Sequence, residues 1–143
     1  PDADSSGLAL QALAAVGVPS TNATVQGALA FLRRVQNGDG GFPGFDGATS
    51  ASSTGLALGG LAAYNERPRS LAWTTVITDG SASRLTLHDP VDALLALQSP
   101  QGGFFGFSGP DDAGATYQAL PGLAARTLLT RTRAVAFLPL VTR

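Results

Sequence analysis

A seven-residue stretch recurs in this chain, and its recurrence constrains the fold more than any other feature. Gln36 to Phe42 returns 62 residues later as Gln98 to Phe104, and the copies extend without a gap over residues 36–63 and 98–125, where 15 of 28 positions are identical. Residues 6–15 align on residues 54–63 as well, with an offset of 48. Such self-similarity indicates a repeat architecture, in which each unit buries its apolar face against the next. Because the sequence starts inside a copy, we expect it to be a fragment of a protein that extends upstream.

The recurring stretch is predicted to be a packed corner between two helices. Its adjacent glycines reach positive φ at little cost, so they end one helix and turn the chain toward the next. The leading glutamine is suited to bonding loop backbone groups that no helix satisfies. The two phenylalanines of each copy are expected to fill the gap between neighbouring helix pairs, with an aromatic cofactor box as the alternative. The motif comprises Gln36, Asp39, Gly40, Gly41, Phe42, Gln98, Gly102, Gly103 and Phe104, and the second phenylalanines are Phe45 and Phe107.

Apolar residues at helical spacing, preceded by capping residues, predict five helices. The first helix is expected at about 5–16, and the second has its apolar stripe at 25–35, a cap at Ser20, Thr21 or Asn22, and its end at Gln36. The other three are expected at 52–64, at 91–98 after Asp89-Pro90, and from Asp111 or Asp112 to about 125. Asn22 begins a match to a glycosylation sequon, but we favour the cap. Glycines inside the third helix predict close packing against its neighbours. Pro121 should kink the last helix.

The period changes after residue 67, where a short β-hairpin is expected near residues 73–87. Residues 73–78 are rich in strand formers, and Asp79-Gly80 is a two-residue turn signal. Trp73 is either a stacking platform for a flat ligand or, as we favour, a cover for the apolar side of this insertion. The chain is thereby divided into a helical repeat domain, residues 1–126, and an extended C-terminal tail, residues 127–143.

Composition argues against several kinds of function. The net charge is −1 with 13% charged residues, so the chain has no electrostatic footprint for nucleic acid. No apolar run approaches the roughly 18 residues of a membrane span. There is no cysteine, and His88 is the single histidine, so we predict no metal site, no cofactor and no catalytic residue set. Asn37-Gly38-Asp39-Gly40 is similar to the start of a calcium loop, but the glutamate that should end such a loop is missing, and a turn explains it.

The helix ending in glutamine, the Asp/Gln-Gly-Gly-Phe corner and the Ser/Thr-capped alanine-leucine helix together resemble the repeat of the prenyltransferase and squalene-cyclase superfamily. The resemblance covers about residues 2–126 and is strongest to secreted bacterial members. It implies an all-α fold, a partial α/α toroid of helix hairpins, in which the helices starting near Ser5, Ser52 and Asp112 are inner and those ending at Gln36 and Gln98 are outer. It also implies an extracellular or cell-surface location.

The chemistry of that superfamily is not expected here. Asp2-Ala3-Asp4-Ser5 stops one aspartate short of the Asp-x-Asp-Asp acid of the cyclases. The prenyltransferases bind zinc through Asp, Cys and His, and this chain has no cysteine. We therefore expect a non-catalytic binding or structural module of a secreted, cell-surface or assembly-associated bacterial protein. The alternatives are a terpene-cyclase-like or polysaccharide-lyase-like enzyme whose acid lies in other repeats, and a carrier of a small ligand such as cobalamin.

Five helices cannot close a ring, so another protein chain or further repeats should cover the open ends of the array. The weak candidates for ligand contact are Trp73, His88, Phe45 and Phe107.

Overall fold

The computed structural model describes residues 1–78 and 85–125, and this part of the chain is mainly helical with one small antiparallel sheet. The helices are α1 (Ala3–Ala15), α2 (Ala23–Val35), α3 (Ala51–Ala63), α4 (Pro90–Ala96) and α5 (Ala113–Leu123), the strands are β1 (Thr75–Thr78) and β2 (Leu85–His88), and a single 3-10 turn spans Leu71–Trp73. The prediction of a helical fold interrupted by a short hairpin is confirmed. Within the described ranges, no helix combines the length and apolarity that crossing a bilayer requires.

Side-chain caps set where helices α1, α3 and α5 begin. Asp2, Ser50 and Asp112 each accept a hydrogen bond from the N–H three residues further on, at 2.7, 3.4 and 2.7 Å, which satisfies a donor that the helix itself leaves free. Because Asp2 is the cap, α1 starts at Ala3, two residues earlier than predicted.

The two connecting helices are capped in the same manner. Asn22 accepts from the N–H of Thr24 at 2.9 Å, in agreement with the favoured interpretation of that residue. Asp89 accepts from Val91 and Asp92, and Pro90 occupies the first helical position of α4. Helix α4 ends at Ala96, earlier than predicted. Pro121 lies inside α5, and the kink expected there stays a prediction.

Helix α3 is the centre of the structure, because it packs along both α1 and α5. Both contacts use the same two repeat positions, occupied by Gly7 and Gly60 between α1 and α3, and by Gly55 and Gly122 between α3 and α5. A Cβ atom at Gly55 would lie 2.6 Å from the Cα of Ala119. Since no side chain fits at that distance, glycine lets the backbones touch, as the glycines of the third helix predicted.

Helices α1, α3 and α5 run in the same direction. Along α1 and α3, a Cβ at Gly60 would touch Gly7, and beyond the helix ends the Tyr64 hydroxyl donates to the carbonyl oxygen of Val18 at 3.2 Å. Along α3 and α5, Gly55 lies against Gln118 and Ala119, and Gly122 lies against Leu58, so contacts move toward the C-terminal end of both helices together. The N-terminal ends of these helices therefore meet at one edge, where the glycine corners lie.

The apolar core forms two clusters that the repeat relates to each other. The first contains Leu32, Phe42 and Ala57, and the second contains Leu94, Phe104 and Ala119, each 62 positions further along the chain. Trp73 completes the first cluster. Equivalent residues thus do equivalent packing in both copies.

Strands β1 and β2 pair antiparallel, with Thr75 opposite His88 and Thr78 opposite Leu85. The hydroxyl of Thr75 also donates to the carbonyl oxygen of Gly38 at 2.7 Å, which ties the hairpin to the first glycine corner. The turn predicted at Asp79-Gly80 and the tail predicted for residues 127–143 lie outside the described residues.

Candidate functional site

The two glycine corners are closed by the same backbone hydrogen bonds. These join the N–H of Asn37 with the carbonyl oxygen of Gly41 (2.9 Å) and the N–H of Ser99 with that of Gly103 (2.8 Å). Gly40 and Gly102 have φ angles of 87° and 99°, a region that costs glycine little and other residues more. The predicted turn is therefore present in both copies.

The leading glutamines bond to the corner backbone, as predicted. The Nε2 of Gln36 donates to the carbonyl oxygens of Gly40 and Trp73, each at 2.8 Å. In the second copy, the Nε2 of Gln98 donates to Gly102 at 3.0 Å. The first glutamine thus also holds the segment that leads into the β-hairpin.

The first phenylalanine of each corner is held by a hydrogen bond from its backbone and by burial of its side chain. The N–H of Phe42 donates to the hydroxyl of Thr54, and the N–H of Phe104 donates to that of Thr116, each at 3.0 Å. Both phenylalanine side chains are fully buried. The prediction that they fill the space between helices is confirmed.

A carboxylate holds the first corner from inside the turn. Asp39 Oδ1 accepts from the N–H of Gly41 at 3.0 Å and from the hydroxyl of Thr49 at 2.7 Å. The Nδ2 of Asn37 donates to the same threonine oxygen at 3.0 Å. These bonds within the loop account for the side chains that were compared with a calcium loop.

In the second corner the carboxylate comes from the opposite arm of the loop. Gln101 replaces the aspartate, but Asp111, at the position of the threonine, accepts from the N–H of Gly103 at 3.0 Å and from the hydroxyl of Ser99. The acceptor of the equivalent glycine N–H is therefore preserved although the sequence position of the carboxylate is not.

Trp73 does not serve as a stacking platform, because its side chain is fully buried. Its ring lies 6.4 Å from that of Phe42, the guanidinium of Arg33 lies 4.5 Å from its centroid, and its Nε1 donates to Glu66 at 2.9 Å. The candidate role of Trp73 in ligand contact is therefore wrong, since the hydrophobic cluster and Arg33 occupy its surfaces.

The second phenylalanine of each loop does not fill the gap between helices, contrary to the prediction. Phe45 and Phe107 are fully exposed, at 111% and 108% of the reference area. Each lies in a tight loop, closed by the N–H of Gly44 donating to Ala48 at 2.8 Å and by mutual bonds between Gly106 and Gly109 at 3.0 Å. Because the chain reverses within these loops, the second ring is directed away from the core that holds the first.

The two exposed phenylalanines border an open groove of about 460 Å³. Its other lining residues include Leu97, Thr49, Phe105 and Asp46, and Asp46 is the one charged residue in the part of the lining that the structure describes. Phe105 is 46% exposed. A smaller groove of about 370 Å³ lies on the other side of Phe45 and is bordered by the N-terminal end of α1, including Asp2 and Asp4.

The helix ends beside the groove have polar groups that are already paired. Ser50 and Asp112 cap α3 and α5. The hydroxyl and N–H of Ser108 together with the N–H of Ala115 lower the pKa of Asp112 to about 2, with the hydroxyl as the largest cause. Asp46 accepts from the N–H of Ala48 at 3.1 Å and is exposed. The groove edge is therefore negative rather than a site for anions at free helix N–H groups.

The structure brings together only two of the four candidate ligand-contact residues, Phe45 and Phe107. His88 lies in β2, where its carbonyl oxygen accepts from the hydroxyl of Thr75 at 3.2 Å, and it does not line the groove. Within residues 1–78 and 85–125, no group of three acidic, histidine or cysteine side chains is placed to hold a metal ion. Sequence reasoning missed Phe105 and Asp46, whose only signal was their place beside a repeated phenylalanine.

Comparison with known proteins does not extend these findings, since no family model, curated protein or solved structure matches the chain.

Proposed function

We propose that this chain is a non-catalytic binding module, built as a partial α/α toroid of the prenyltransferase and squalene-cyclase type, that takes its ligand in the groove between the Phe45 and Phe107 loops. In this proposal it belongs to a secreted, cell-surface or assembly-associated bacterial protein. One observation carries the binding role: each of two related loops buries its first phenylalanine and fully exposes its second.

The energetic cost of that arrangement supports a binding role. Leaving a phenylalanine in water instead of burying it forgoes roughly 1.5–3 kcal/mol. Both copies of the loop forgo it at the same position. A groove of about 460 Å³ is within the range of small-ligand sites, roughly 300–1,000 Å³. Aromatic residues are also enriched at binding surfaces relative to the rest of the protein surface.

The repeated helix contact supports the toroid arrangement. The α1–α3 and α3–α5 contacts use equivalent glycines, and the three helices run in one direction. Helices α2 and α4 provide the intervening connections, α2 in contact with α1 and α4 in contact with α3. A unit that repeats by the same step describes an arc, which further repeats or another chain would continue.

The composition of the groove supports a non-catalytic role. Asp46 is the one ionisable side chain among the described lining residues. A mechanism with separate acid and base needs a second ionisable group beside Asp46, and a hydroxyl nucleophile needs a base bonded to it, whereas Asp46 bonds to the N–H of Ala48. Binding by apolar contact needs neither.

A fragment screen on the 143-residue chain tests the proposal. Small aromatic and aliphatic fragments are added while backbone amide shifts are followed by NMR, and the largest shifts are expected in the two loops, residues 44–50 and 104–109. The double variant Phe45→Ser/Phe107→Ser should lose these shifts. Leu71→Ser removes another largely exposed apolar side chain, which does not line the groove, and should leave them unchanged. Fragments that bind mainly at other surfaces, or equally well to the double variant, would refute the proposal.

A further inference from the structure

We infer that the groove accepts an organic cation, specifically a methylated ammonium group, with three phenylalanine rings as its walls and Asp46 as its counter-charge. This inference rests on the proposed function, because it names the ligand class of the same groove.

The rings of Phe45, Phe105 and Phe107 are open to a ligand. All three line the groove and are exposed. The close ring pair found within the described residues is that of Phe42 with Trp73, so the groove rings do not cover one another. Their faces carry the negative part of the aromatic quadrupole, which attracts cations.

The described arginines that contact an aromatic ring do so elsewhere. Arg33 lies over Trp73 and pairs with Glu66 at 3.0 Å, and Arg34 lies over Phe31. The described residues that line the groove include no basic side chain. A cation in this groove must therefore come from outside the described part of the chain.

The charge of this edge also favours a cation. Asp46 lines the main groove, and Asp2 and Asp4 line the smaller groove on the far side of Phe45. Asp112, which caps α5, has a pKa lowered to about 2 and is ionised at neutral pH. Carboxylates on several sides of one aromatic surface would repel an anion and attract a positively charged group.

The engagement of the lining acceptors in hydrogen bonds of the loop favours a methylated over a primary ammonium. A primary ammonium has three N–H donors, each of which requires an acceptor once it leaves water. Three of the side-chain oxygens that line the groove already accept hydrogen bonds within the loop: Asp46 from the N–H of Ala48, Ser50 from that of Ser53, and Thr49 from the Nδ2 of Asn37. A methylated ammonium has few or no N–H groups to satisfy and presents methyl groups to the rings. Aromatic sites for quaternary ammonium groups work by this chemistry.

Choline and its neutral isostere separate charge from shape. In 3,3-dimethylbutan-1-ol, called dimethylbutanol below, a carbon atom replaces the quaternary nitrogen of choline, so the two probes have the same shape. Each is titrated into the 143-residue chain while the ring signals of the phenylalanines are followed by NMR. We expect choline to shift the signals of Phe45, Phe105 and Phe107, with an affinity about tenfold higher than that of dimethylbutanol.

Variants locate the effect. Asp46→Asn and Phe107→Leu should each weaken choline binding by about threefold or more, because they remove the counter-charge and one wall. Both positions are exposed, and circular dichroism checks that the fold is kept. Phe31→Leu alters a ring outside the groove and should leave choline affinity unchanged.

Each other outcome overturns the inference in a distinguishable manner. Equal binding of the two probes would refute the selection for charge while leaving an apolar binding groove in place. Binding of neither probe at tens of millimolar would refute the ligand class, whereas the proposed function fails only if the fragment screen fails as well. Choline shifts that persist in both Asp46→Asn and Phe107→Leu would place the cation elsewhere.

Discussion

Replacing Gly55 by alanine tests the close helix contact on which the fold depends. A Cβ atom there would lie 2.6 Å from the Cα of Ala119 and 2.7 Å from the carbonyl carbon of Gln118. Carbon atoms without a bond between them prefer about 3.5–4.0 Å, so α5 must retreat by about 1 Å. Such overpacking costs roughly 1–3 kcal/mol and more when backbone must move, while alanine recovers about 1 kcal/mol of helix propensity. Because backbone atoms must move here, we take the upper end of that cost, about 3 kcal/mol, and expect a net loss of about 2 kcal/mol in the free energy of unfolding.

The matched control is the same substitution on an open helix surface. Gly27 lies in α2, is exposed, and has no neighbouring atom within 4 Å of an added Cβ. Gly27→Ala should therefore stabilise the protein by about 1 kcal/mol. Urea denaturation measures both, and with an m-value of about 2 kcal/mol/M the midpoint of Gly55→Ala should fall by about 1 M. A Gly55→Ala protein as stable as Gly27→Ala would show that α3 and α5 do not touch through their backbones.

Three further predictions concern the glycine corners and the cap of α5. Phe42→Ala should lower the free energy of unfolding by about 3–5 kcal/mol because a buried ring is lost, whereas Phe45→Ala should change it by less than about 0.5 kcal/mol; similar urea midpoints for the two would contradict their different burial. The pKa of Asp112 is lowered from 3.8 to about 2, so its stabilising effect is present above about pH 4 and is lost as the pH falls toward 2. Asp112→Asn should therefore flatten the acid dependence of the free energy of unfolding, measured from about pH 5 to 2. An unchanged slope would exclude the Asp112 carboxylate as the source of that dependence. Asp39→Ala leaves the N–H of Gly41 without its acceptor and should cost about 1–2 kcal/mol, while Gln101→Ala should cost less than about 0.5 kcal/mol; equal losses in urea would refute the exchange of carboxylates between the two corners.

Sequence reasoning succeeded where the relevant chemistry is local. The cap at Asp89, the turn at Gly40 and the bonds of Gln36 involve groups a few residues apart, so the residue types nearly determine the contacts. The internal repeat extended this reach, because two copies with the same pattern must solve the same packing problem. The buried positions of Phe42 and Phe104 followed from that.

The candidate site required information that residue identity does not carry. Alignment of the copies pairs Phe45 with Phe107 as firmly as Phe42 with Phe104, but it cannot show which ring of each loop faces the core. That depends on where the chain reverses after Gly44. The ligand-contact alternative for Trp73 fails for a similar reason, since the burial of this side chain depends on contacts with α2 and the first corner.

The exchange of carboxylates shows how a repeat can diverge while its structure persists. Position by position, Asp39 becomes Gln101 and Thr49 becomes Asp111, so each substitution alone appears to lose a loop contact. In space the two positions face each other across the loop, and either can accept from the same glycine N–H. A search that scores each position separately underestimates the likeness of the copies, since the conserved quantity is a satisfied donor.

On the sides away from α3, helices α1 and α5 lack the glycines that form the α1–α3 and α3–α5 contacts. Each contact pairs a glycine early in the first helix with a glycine late in the second. Between α1 and α3 these are Gly7 and Gly60, and between α3 and α5 they are Gly55 and Gly122. In α5 the first of these positions holds Tyr117, and in α1 the second holds Ala12. If a second copy were stacked end to end, both glycines would be missing from the new contact, and the Tyr117 side chain would stand between the backbones. Helices held further apart lose much of their dispersion attraction, so the free faces of α1 and α5 disfavour head-to-tail stacking of identical chains and would suit a covering segment with a different surface.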